Sequence, residues 1–188
     1  MDEKATRHAL AIAYHAPTNG TPEYYALALI DQILAAGRDS LLYGDLVQKR
    51  GVTGELGSSM NILGSMFDIH GPTLYTTWLF HDKDKTAEDI VKAIDESIEK
   101  LRTQPVDADT LQRARTKMRS AFYQELEDFS GFGRANLLSS FALFYDDPSR
   151  INSVEGSFAQ VTPELIQKTA QEYLRPTNRT ILTVVPKS

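Results

Sequence analysis

Strand-forming residues sit near the two ends of this chain, and almost a hundred residues between them read as helix. His8–His15 (HALAIAYH) puts Leu10, Ile12 and Tyr14 on one face and alanines on the other, a small-residue face against which something can pack closely. Thr73–Phe80 (TLYTTWLF) is the strongest strand signal, dense in β-branched and aromatic residues. A weaker strand is expected over Val52–Ile62 and a last one over Arg179–Val185. The loop between the second and third strands, Leu63–Pro72, is broken by Gly64, Gly71 and Pro72. The expected order is β-α-α-β-β-α-α-α-α-α-β. Adjacent strands joined by a hairpin-like loop, with the helices together, argue for an α+β fold with a mainly antiparallel sheet and the helices on one side. No repeat, low-complexity tract or linker divides residues 1–188, which read as one domain.

Local signals place the helices. Thr21-Pro22-Glu23 supplies an N-cap, a proline at the first helical position and an acid in the first turn, for a helix to about Ala36 stopped by Gly37. A shorter helix is expected from about Ser40 to Arg50, capped by Asp39 or Ser40 and stopped by Gly51, with Leu42 and Leu46 on its buried face. Thr86 caps a helix with the stripe Ile90, Val91, Ile94, Ile98 and Leu101. Asp107 caps the next, Val106 and Leu111 being spaced for a hydrophobic staple. Ser130 is expected to open a helix to about Phe144, Asp147-Pro148 a short one, and Thr162-Pro163-Glu164 one running to Leu174.

Composition narrows the function classes. The chain is 41% apolar and 24% charged, ordinary for a globular protein. No apolar run approaches the roughly 20 residues of a membrane span, and the charged start MDEKATRH has no apolar core of a signal peptide. A net charge of −5 argues against nucleic acid or an anionic membrane as the main partner. The basic cluster Arg113, Arg115, Lys117 and Arg119 reads as a solvated helix face. With no cysteine, disulfides, thiolate zinc sites and cysteine nucleophiles are excluded.

Nothing in the residues announces catalysis. A zinc site needs three or four convergent His, Cys, Asp or Glu ligands, and only His8, His15, His70 and His81 are present, none in an H-E-x-x-H or H-x-x-E-H pattern. His8 and His15, seven apart in one strand, point to opposite faces; a composite site drawing on all four histidines stays an alternative. No G-x-S-x-G elbow occurs, and Gly37-Arg38-Asp39-Ser40 lacks the Lys-Ser/Thr of a phosphate loop. Asp146-Asp147 and Glu125/Asp128 read as capping or solvated acids.

The run LAAGRDSLLYGDLVQKRGVTGEL, Leu34–Leu56, resembles the C-terminal-type, non-zinc domain of the insulinase/pitrilysin family of zinc metallopeptidases, where a GxxSSRLYxxLRxxxGLAY-like run stands between two helices and a strand. Leu34, Gly37, Ser40, Leu42, Tyr43, Leu46 and Gly51 carry the likeness, and the order of elements extends it over nearly the whole chain. The resemblance implies homologous halves closing a clam-like peptide-cleaving chamber. One half holds zinc through H-x-x-E-H and a downstream Glu; the opposing half offers an Arg seven residues before a Tyr as an electrophilic donor pair. Aligned on Leu46, those positions are Val47 and Gly54, and neither can donate a side-chain hydrogen bond.

The expectations are therefore no catalytic, cofactor-binding or metal residue in this segment, with zinc in the missing half of a parent protein. The expected partners are a homologous N-terminal zinc-bearing domain, a partner chain, or both, with a peptide substrate in the full assembly. Its job would be to shape the substrate chamber and dock that partner. The alternatives are a non-enzymatic scaffold or assembly subunit of the same family, and an unrelated α+β binding module. The parent reading frame is expected to supply H-x-x-E-H upstream. The apolar pair Met66-Phe67, inside the glycine-flanked loop, is expected to meet a partner domain or a second copy of the chain, with burial in the domain's own core as the alternative.

Overall fold

A computed structural model describes residues 4–128 and 132–187. Four strands, β1 (His8–His15), β2 (Leu56–Ser59), β3 (Leu74–His81) and β4 (Arg179–Val184), form one sheet in the order β2-β3-β1-β4, antiparallel throughout. Six α-helices are described: α1 (Pro22–Leu34), α2 (Ala87–Thr103), α3 (Ala108–Leu126), α4 (Gly133–Tyr145), α5 (Val154–Ala159) and α6 (Pro163–Tyr173). The α+β architecture read from the sequence is the one observed.

One sheet face is covered by helices. Leu10, Ile12 and Tyr14 of β1 and Tyr75, Thr77 and Leu79 of β3 are buried beneath them. Against this face lies α1, in which ten of the thirteen residues are buried. A helix apolar on nearly all sides must be enclosed, and α1 is enclosed by the sheet on one side and by α3, α5 and α6 on the other. Arg179 of β4 forks onto Asp95 of α2, its second amine 3.0 Å from Oδ2, and also reaches the Tyr14 hydroxyl. That ion pair ties the last strand to a helix residue 84 positions earlier.

The caps follow the sequence. Thr21, Thr86, Asp107 and Thr162 each accept a backbone N–H from the residue three positions on, a contact worth about 1 kcal/mol. Ser40, rather than Asp39, caps the following segment, accepting the Tyr43 N–H at 3.4 Å. Gly37 turns the chain at φ +84°, a conformation costly for any residue with a Cβ.

Several expectations are corrected. The segment after Ser40 is wound as a π-helix over Tyr43–Lys49, with the Arg50 N–H reaching back to Asp45 O. Leu42 and Leu46 are nonetheless both buried. The strand expected over Val52–Ile62 shrinks to Leu56–Ser59, because the Thr53 hydroxyl folds onto Glu55 before it and the Ser59 hydroxyl onto Asn61 after it. Of the apolar loop pair, Phe67 is in the core, edge-on to Phe122 and tilted against Phe141, and Met66 is half-buried. The Met66 carbonyl accepts from Asn19 and Tyr24, so the loop is pinned down within this chain. The expected start at Ser130 lies outside the described residues.

The basic cluster is not a uniform solvated face. Lys117 reaches the C-terminal end of α1, its Nζ donating to Gln32 O at 2.9 Å, Ala36 O at 2.7 Å and Asp39 Oδ1 at 2.8 Å. A cation there meets the negative end of the helix dipole and orphan carbonyls together. Arg115 donates to Ala159 O and Val161 O, and Arg119 pairs with Glu155. Glu125, read as solvated, is half-buried, and burial pushes its carboxyl up.

Inside α1, Asp31 is buried and accepts the Tyr75 hydroxyl at 3.0 Å. Burial raises the Asp31 carboxyl; hydrogen bonds from Ser58 and Tyr75 and the Lys117 charge only partly offset that.

Two stability outcomes are expected. Lys117→Met should cost about 1–2 kcal/mol, since it orphans two helix-end carbonyls, whereas Asp39→Asn should cost under about 1 kcal/mol, both read by urea unfolding. Between the ordinary carboxylate pKa and its raised folded value, the native state holds the Asp31 proton more tightly than the unfolded chain, so this group's contribution falls as pH rises. Asp31→Asn, which keeps an acceptor for Tyr75, should therefore stabilise the protein at pH 7 by on the order of 1 kcal/mol and give no gain near pH 3. Equal effects at both pH values would contradict this reading.

Candidate functional site

Where the resemblance asks for a donor pair, the structure has a half-buried Val47 in the π-helix and an exposed Gly54 in the loop ahead of β2. Gly54 borders a shallow hollow of about 260 Å³ that Arg38, Tyr43 and Glu55 also border. The π winding advances the chain with i→i+5 bonds, so spacing rules written for an α-helix do not transfer to this stretch. Arg38 and Tyr43, rather than Val47, stand beside Gly54.

The histidines separate into unrelated settings. His8 and His81, opposite each other on β1 and β3, have rings 5.4 Å apart. The buried His81 turns Nδ1 to the Asp82 carbonyl at 3.0 Å. His70 packs edge-on against Tyr145, and His15 is exposed at the far end of β1. No group of three or more His, Asp or Glu side chains converges among the described residues. Two imidazoles without a third donor do not fit the three or four ligands that zinc requires. A second hollow, of about 290 Å³, has Asp31 and Glu125 on its wall with Met60, Met66, Phe67 and Met118 around them. Burial holds both carboxyls above the usual carboxylate range, and the Ser65 hydroxyl, on the same wall, hydrogen-bonds Glu125.

The side of the sheet away from the helices is the most unusual surface. In β3 the residues facing outward are Leu74, Thr76, Trp78 and Phe80, and both aromatic rings are 40% exposed. Leu182 of β4, paired with Ala11 across from Trp78, is 61% exposed. Ala9, Ala11 and Ala13 of β1 run between the two strands and keep the centre of this face low. On the other flank, Gly57 of β2 opposes Trp78; a Cβ there would stand 2.3 Å from the indole, so the glycine gives the ring room to lie across β2. The Arg7 guanidinium sits 4.9 Å over the Phe80 ring. Among the described residues this apolar face has no covering layer.

Sequence reasoning identified the alanine face of β1 but not the aromatic surface beside it. The signal was present: TLYTTWLF is apolar at both its odd and its even positions, the mark of a strand covered on both sides.

Similarity to known proteins agrees with this picture. Residues 1–118 match the family model described as the Peptidase M16 inactive domain. No curated protein matches the chain in sequence. Among solved structures, a protease from Helicobacter pylori superposes with a TM-score of 0.82 at 20% identity, over 98% of this chain and 43% of that one. An inactive peptidase domain from Bordetella parapertussis gives 0.79 at 22% identity, over 100% of this chain and 97% of that one. The peptidase M16 inactive domain from Pseudomonas fluorescens gives 0.76 at 19%, over 98% and 42%. The chain thus spans nearly the whole Bordetella domain but less than half of the Helicobacter and Pseudomonas chains. At these identities the superpositions carry the fold, and the match over residues 1–118, which contains the Leu34–Leu56 run, carries the family: the chain belongs to the Peptidase M16 inactive-domain family.

Proposed function

We propose that residues 1–188 form one non-catalytic, C-terminal-type domain of a zinc-dependent peptidase, which shapes the substrate chamber and docks a homologous zinc-bearing domain. The observation that carries this reading is the outer face of the sheet: Trp78, Phe80, Leu74 and Leu182 stand exposed around a stripe of alanines. Covering about 40% exposed aromatic rings removes apolar surface from water at roughly 25 cal/mol per Å², which favours a lasting partner over a transient one. Relatives such as the Helicobacter and Pseudomonas chains are more than twice this length, so they have room for such a partner domain. Zinc and the activated water belong, in this reading, to the partner, because this chain offers no fitting ligand set among the described residues. The positions Val47 and Gly54 contribute no catalytic donor. No helix among the described residues is long and apolar enough to cross a membrane.

The scaffold reading, in which neither half retains zinc, makes the same use of the sheet face. The two are told apart by whether the docked assembly cleaves peptide. The isolated chain is expected to hold no stoichiometric zinc by elemental analysis and to leave unstructured peptides uncut; one tightly held zinc per chain, lost on His8→Ala or His81→Ala, would sink this part of the proposal.

Trp78 is the single tryptophan, so its fluorescence reports directly on the face in question. Mixing the chain with the H-x-x-E-H domain encoded beside it should shift the emission to the blue and raise the apparent mass. Trp78→Ser with Phe80→Ser should weaken that association about a hundredfold. Docking that proceeds undiminished in the double variant would place the interface elsewhere.

A further inference from the structure

On the helical side of the protein, a groove runs along α3. One part, about 300 Å³, lies between α3 and α5; the next, about 430 Å³, lies between α3, α4 and the short 3-10 helix Pro148–Asn152. Phe122 and Glu155 line both, so the two hollows adjoin along α3. From Gln112 to Leu126 its α3 wall extends about 21 Å at the rise of an α-helix. Phe122, Val154 and Phe158 form a buried floor, while Tyr123 and Leu138 remain exposed along the side.

The charge on this channel is opposite to that of the chain. The whole sequence carries −5, but among the described residues that line the channel Arg115, Arg119 and Arg134 stand against the acid Glu155. Glu155 is already taken by Arg119 at 2.8 Å. Arg115 is held only by two carbonyls, which leave its positive charge unneutralised, and its buried Nε has no hydrogen-bond partner. Arg134 is exposed and enters no ion pair with another described residue. An apolar floor of this length, flanked by the Arg115 and Arg134 guanidinium groups that no described carboxylate pairs with, matches an amphipathic helix whose polar flanks are acidic. A basic helix would meet the like charges of Arg115 and Arg134 there.

We propose that this groove binds an acidic amphipathic helix of a partner protein, with its apolar stripe on Phe122, Leu126 and Leu138 and its carboxylates against Arg115, Arg119 and Arg134. The site is separate from the outer sheet face, so it allows a second partner to be held while the first is docked.

The probe is a fluorescein-labelled helical peptide of about fourteen residues, with Leu and Phe at the i, i+4, i+7 and i+11 positions and Glu on both flanks. Fluorescence anisotropy with the whole chain should show saturable binding that weakens as salt rises, and at least about tenfold weaker binding when Lys replaces every Glu. Arg119→Glu with Arg134→Glu should reverse that preference. Leu138→Glu, an exposed position that leaves the Arg119–Glu155 pair intact, should weaken the acidic peptide by about tenfold or more. Trp78→Ser should change nothing here, which keeps this test independent of the sheet-face docking. Equal affinity for the acidic and basic peptides, no saturable binding, or a chain dimer that the double reversal dissolves would each overturn the proposal.

Discussion

Burial of α1 is the constraint on which the rest of this structure depends. Its side chains are apolar nearly all round, so no single layer can satisfy it. The sheet covers one side, and α3, α5 and α6 must return to cover the other. The polar groups it takes inside are each given a partner. Asp31 meets Tyr75, Tyr24 donates to the Met66 carbonyl, and the last carbonyls of the helix are met by Lys117. These contacts join segments far apart in the chain, so the helix organises sheet, loop and outer helices together.

The same principle, applied to the sheet, distinguishes its two faces. The helices complete one face and leave the other with aromatic side chains in water. Hydrophobic burial makes such a face a demand for a second body, while the alanines of β1 and Gly57 of β2 shape it so that a broad element can come close. The chemistry that would make a peptidase is missing from the places where a helical spacing argument looks for it.

Electrostatics divides the molecule differently. The acidic total conceals a row of arginines on α3, whose members do three separate jobs: one binds loop carbonyls, one pairs with Glu155 and a lysine among them ends α1. A linear count of charges cannot separate these roles, because they depend on which turn of α3 faces which neighbour. The groove beside them lies where α4 and α5 leave Tyr123 exposed above the buried Phe122.

Local signals by themselves determined much of this protein. Threonine and aspartate caps, prolines at first helical turns and the period-two pattern of β1 are read within a few residues, and each was realised where it stood. The Leu34–Leu56 run, with the order of elements around it, pointed to the family that the match over residues 1–118 shows. Tertiary structure decided the rest, since those outcomes turn on non-local partners. Phe67 is a core residue because Phe122 and Phe141 come to it from α3 and α4, which nothing near residue 67 announces. The π winding at Tyr43–Lys49 depends on how the segment seats Leu42 and Leu46 in the core. Whether Trp78 faces a helix or water was set by which side of a two-faced apolar strand the helices chose, and β1 resolved it: its large residues drew the helices to one side, and its alanines left the other bare.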